Sequence, residues 1–136
     1  MTKLYSIATI RKKVREYGKK IKAPKKLLTV RSTTDGFGTP HIEIDKKGYN
    51  YVVWGRGSEH ERKTTKDFHR LIYWIFKDIV FKIASDYELD HRNPNEDFRR
   101  LLFSKILELF EILDKQWFIW EKEDIESILK ENPYEP

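Results

Sequence analysis

The sequence predicts an α+β fold, made of an N-terminal helix, a small and mostly antiparallel sheet containing a hairpin, and a helical C-terminal half. Three observations carry this expectation. Ile7, Ile10, Val14, Tyr17 and Ile21 recur at helical spacing near the start. The stretch HIEID–KKG–YNYVVWG, His41 to Gly55, reads as two strands and a turn. From Phe68 onward the apolar residues return to helical spacing and keep it for most of the chain.

Taken in order, the first helix meets a stop signal at Gly18, and APKK breaks the pattern after it. LLTVRS, Leu27 to Ser32, is short, apolar and β-branched and reads as a strand, and TTDGFGTP is a turn-rich loop. In the hairpin, Ile42 and Ile44 alternate with His41, Glu43 and Asp45. The second strand puts Tyr49, Tyr51 and Val53 on one face and Asn50, Val52 and Trp54 on the other, so it belongs in the centre or under cover on both sides. GRGSEHERKTTKD is a polar segment ending in a helix start, with Thr64 and Asp67 as a capping box.

Phe68, Leu71, Ile72, Ile75, Phe76, Ile79, Val80 and Ile83 then mark the core helix. Asn93, Pro94 and Glu96 form the start signal of the next one, whose apolar face is Phe98, Leu101, Leu102, Ile106, Leu109, Phe110 and Leu113. DKQWFIWEKED reads as an aromatic-rich connection and KEDIESILKEN as a short final helix stopped before Pro133.

At 136 residues the chain fits a single domain, 1–136, with 1–26 as a basic helix and extension. A domain of this size buries a sizeable core without disulfides or metal. There is no cysteine, which excludes thiolate metal sites and a cysteine nucleophile and suits a reducing, cytoplasmic setting. The N-terminus has no apolar run of signal-peptide length, and the longest central run, LIYWIF, is too short to span a membrane. Net charge is +5, unevenly placed. Residues 1–34 hold 11 Lys/Arg against one acid, whereas 35–136 hold 16 against 21 acids, giving +10 and −5.

The densest polar stretch is SDYELDHR, Ser85 to Arg92. Asp86 and Asp90 would share a helix face, as would Glu88 and Arg92. Acids at a helix C-terminus oppose its dipole, so they call for a partner, either an internal arginine or another protein. An acid–base pair would need two carboxylates held at different solvation in a pocket, which nothing here indicates. His41, His60, His69 and His91 have no metal-binding spacing, so no metal and no cofactor is expected. Ser58 lacks a base, and neither GRG nor GFG is a phosphate-binding loop.

The basic stretch RKKVREYGKKIKAPKK could neutralise phosphates, which leaves a small nucleic-acid-binding protein as an alternative. Against it, only Tyr17 is available for stacking on a base, and the plainer reading is a solvated helix face. The aromatics of QWFIWEKED read as packing. Composition and motifs therefore favour a cofactor-free binding protein over an enzyme.

Three pieces, YNYVVWGRGSEHERKTT, LIYWIFKDIVFKIASDYELDHR and DFRRLLFSKILEL, in this order and spacing, resemble the Immunity protein 63 family of bacterial polymorphic toxin systems. The resemblance covers roughly residues 39–113. One departure is Ile106, where the family pattern has a polar residue, often Gln; the basic N-terminus is also less typical. The resemblance implies a cytoplasmic, non-enzymatic protein that binds and occludes a cognate toxin, with nucleases a common toxin class. It makes GSEHER and SDYELDHR candidate docking surfaces, through Glu59, Glu61, Arg62, Asp86, Glu88, Asp90, His91 and Arg92. The motif-matched Glu61, Arg62, Tyr73, Trp74, Asp78, Tyr87, Glu88, His91, Arg92, Asp97, Arg99 and Arg100 could equally form a network that fixes the fold. Oligomeric state is not legible at this level.

Overall fold

A computed structural model describes residues 3–136. The element order is α1 (Ile7–Lys20), a 3₁₀ turn (Lys25–Leu28), β1 (His41–Asp45), β2 (Gly48–Gly55), β3 (Ser58–Thr65), α2 (Phe68–Asp90), α3 (Phe98–Leu113) and α4 (Lys115–Glu131). This is the expected α+β arrangement, with one three-stranded antiparallel sheet of order β1-β2-β3. No helix among the described residues is long and apolar enough to cross a membrane. The chain divides into two compact units. One holds residues up to Lys19 with Pro24–Phe76; the other holds Lys20–Ala23 with Lys77–Pro136.

In the first unit β2 is central and buried along most of its length, because both of its faces carry aromatic and branched residues. Tyr49, Tyr51, Val52, Leu71, Ile72 and Phe76 are buried, and each such side chain contributes on the order of 1.5–3 kcal/mol. Gly18 does not end α1: it lies buried inside it, where a Cβ would meet Leu28 Cδ1 at 2.5 Å. The glycine there makes room for Leu28. The expected strand Leu27–Ser32 is not one. After Pro24 the chain closes a 3₁₀ turn, with the Leu27 N–H donating to the Pro24 carbonyl at 3.0 Å. Only Arg31 bridges to the sheet, at His41.

The polar segment after Gly57 is, conversely, a full strand. β3 pairs with β2 from Ser58 to Thr65, with a bulge opposite Val53 and Trp54. It is an edge strand and almost wholly exposed, so its backbone hydrogen bonds hold it and no apolar alternation announces it. Asp67, not Thr64, caps α2, accepting from the His69 N–H at 3.0 Å. The Thr64 hydroxyl instead donates to buried Asn50 at 2.6 Å.

The second unit holds the end of α2 with α3 and α4. Its buried side chains include Ile79, Val80, Leu102, Ile106, Phe110, Leu113, Trp117 and Ile125. Asp97, not Asn93, caps α3, and Phe98 is half exposed outside the core. The aromatic stretch after Leu113 is helical: Asp114 ends α3 and caps α4 through the Gln116 and Trp117 N–H groups. One acid therefore turns a reading of loop into two consecutive helices.

Candidate functional site

The candidate docking residues fall into two clusters, one in each unit. In the first unit Glu59 and Arg62 are three apart on β3, a spacing that puts side chains on opposite faces of a regular strand. The bulge removes this conflict. Register runs Val53 to Glu61 and Trp54 to Glu59, leaving His60 as the extra residue, its ring nitrogen 2.9 Å from the Gly55 carbonyl. The Arg62 guanidinium then donates to Glu59 at 2.8 Å and across the sheet to Glu43 at 3.1 Å. Glu43 also accepts from buried His41 at 2.8 Å. That hydrogen bond, with the neighbouring Arg62, holds the Glu43 carboxyl below its ordinary range despite the cost of partial burial. Glu61 lies on the other face, 3.5 Å from Lys63, whose ammonium stands over the Tyr51 and Trp74 rings.

In the second unit, the end of α2 sorts SDYELDHR by depth. Glu88 is 3% exposed, yet Arg92 meets it with two hydrogen bonds of 2.7 and 2.9 Å. This i,i+4 pair is the one the spacing suggests, and the arginine holds the Glu88 carboxyl below its ordinary range. Tyr87 and His91 stack with centroids 4.1 Å apart, and the His91 ring donates to the Tyr87 carbonyl at 2.9 Å. Lys105 of α3 caps the other side of Tyr87, 4.4 Å from its centroid. Asp86 pairs with Lys82, and Leu89 and Asp90 are exposed.

A third cluster was legible only in part. Asp97 and Arg99 match the family motif, but their partner lies at the far end of the chain. The Asp97 carboxylate accepts from the Arg99 guanidinium at 2.8 Å, from the Arg99 backbone at 3.0 Å and from the Glu135 backbone at 3.0 Å. Arg99 donates onward to the Asn132 and Pro133 carbonyls at 2.8 and 2.9 Å. Tyr134 lies against Arg100 at 4.3 Å. These bonds, Arg99 first, hold Asp97 far below the usual carboxylate range. No sequence signal links positions so far apart.

The clusters thus contain carboxylates that are paired with cations. Among the described residues no group of three or more His, Asp or Glu is placed to hold a metal ion. The arrangement does two things: it fixes strand register and helix ends, and it leaves Glu61, Asp86, Asp90 and His91 facing solvent. Ile106 is buried, so its departure from the family pattern changes packing and presents nothing to a partner. The family model described as Immunity protein 63 matches residues 45–127, which covers β2, β3, α2, α3 and most of α4. No curated protein and no solved structure matches.

Proposed function

The chain belongs to the Immunity protein 63 family, and from that premise we propose that it binds a cognate bacterial toxin domain and neutralises it by occlusion. The family match carries this reading. Occlusion needs complementary shape and charge and no bond-making residue. The internal pairing of Glu88 with Arg92, and of Glu59 and Glu43 with Arg62, suits a rigid binding surface better than a reactive centre.

In this reading each unit offers its own surface to the toxin, Glu61 in the first and Asp86, Asp90 and His91 in the second, and the Glu59–Arg62 and Glu88–Arg92 pairs fix the backbone that carries them. Carboxylates at Asp86 and Asp90 suit a basic cleft such as a nuclease uses for its substrate. The protein acts in the cytoplasm as a single immunity domain. The test is to mix the purified chain with a catalytically inactivated toxin domain encoded beside it, and to co-express the chain with the active domain. A one-to-one complex and cell survival are expected; absence of both overturns the proposal.

A further inference from the structure

Resting on that reading, we propose that Phe37 is the apolar anchor by which this chain engages its toxin, entering an apolar pocket whose rim carries a carboxylate for Arg56. Phe37 is 89% exposed, more than any other large apolar residue among those described. Single exposed apolar residues are ordinary. What sets this one apart is how firmly it is held out. Gly36 and Gly38, on either side, have φ of +78° and +85°, a region that side chains rarely adopt.

Along this turn three consecutive N–H groups have partners. The Gly36 N–H donates to Thr34 Oγ1 at 2.9 Å and the Phe37 N–H to Asp35 Oδ1 at 2.8 Å. The Gly38 N–H donates to the Trp54 carbonyl at 3.0 Å, seating the loop on the end of β2. Gly55 permits this approach, since a Cβ there would stand 3.0 Å from the Gly38 nitrogen. The glycines and hydrogen bonds therefore hold the backbone beneath a ring that adds nothing to the core.

A held backbone has less freedom left to lose on binding, which lowers the cost of an anchor carried on it. Beside it, Arg56 is exposed at φ +52° and forms no ion pair among the described residues. The two line one concavity of about 390 Å³ with Gly36, Gly38, Gly55 and His60. An aromatic next to an unpaired arginine is the composition of an interface hot spot. The free guanidinium selects an anionic partner group, and the ring selects an apolar pocket.

The test measures binding of the inactivated neighbouring toxin domain to the wild-type chain and to Phe37→Ala, Phe37→Leu and Arg56→Gln, with thermal melts alongside. Phe37→Ala is expected to weaken binding at least about 30-fold at an unchanged melting temperature, with Phe37→Leu retaining part of the affinity. Arg56→Gln is expected to weaken it less and to lower its salt dependence. If the wild type binds and Phe37→Ala binds within about twofold of it, the anchor is wrong and the immunity reading stands. If the wild type does not bind, both fall. A single-stranded oligonucleotide is the comparison probe: Phe37-dependent binding to it, with none to the toxin, assigns the ring to base stacking and overturns the proposal.

Discussion

Glu59 and Arg62 meet at 2.8 Å on one face of β3 because His60 between them is bulged out of the ladder. A strand without the bulge would separate them. Deleting His60 reduces the spacing to two, which keeps Glu59 and Arg62 on one face of a regular ladder, so the Arg62 contacts with Glu59 and Glu43 are expected to survive. A Glu59–Arg62 coupling that a double-mutant cycle finds unchanged by the deletion checks this. Loss of the coupling means that the two residues no longer share a face.

Asp97, Glu88 and Glu43 all have carboxyls held below their ordinary values by cationic or hydrogen-bonding partners. A depressed acid contributes stability that is present above its unfolded pKa, roughly 4. That contribution is lost as pH falls through the folded value. Urea midpoints are therefore expected to fall as pH drops below about 4.5, and Asp97→Asn should flatten that fall. Identical slopes for the two proteins count against the bonds that tie Asp97 to Arg99 and Glu135.

Gly18→Ala sets two effects against each other. An alanine in a helix interior ordinarily gains about 0.5–1 kcal/mol over glycine. Here the new methyl meets Leu28 at 2.5 Å, and overpacking costs about 1–3 kcal/mol. Net destabilisation is expected in a denaturant titration. Gly18→Ala combined with Leu28→Ala should recover the intrinsic helix gain at that site.

Trp117 has no exposed surface and sits in the first turn of α4. Trp117→Ala is expected to cost about 3–5 kcal/mol in equilibrium unfolding. A cost below about 1 kcal/mol would place the ring outside the core.

Asp86 and Asp90 are proposed as rim charges toward the toxin. Replacing both with asparagine should slow association several-fold at low salt and leave dissociation nearly unchanged. Conversely, the basic segment 1–34 should give only weak duplex binding that disappears between about 50 and 200 mM salt. Tight binding at the higher salt favours the nucleic-acid alternative.

Much of this molecule is legible from residues alone, and the failures have physical causes. The body of α2 is legible because its apolar stripe persists over many turns, and β2 because both of its faces are apolar. β3 escapes because it buries almost nothing and its bulge breaks the period of two. Leu27 to Ser32 misleads because Pro24 starts a turn whose Leu28 fills the space left by Gly18. Asn93 and Asp97 are both plausible caps; Asp97 prevails because Arg99 and the tail hold its carboxylate in place. At the site, Glu88–Arg92 follows from spacing, whereas Arg62–Glu43 and Asp97–Glu135 depend on contacts that only the fold creates.

The outer rim of β3 carries Glu59, Glu61, Arg62 and Lys63, adjacent charges that a second strand would have to bury. Stacking another copy against that edge costs desolvation that a row of backbone bonds does not recover. That edge is therefore a poor template for the growth of a fibril.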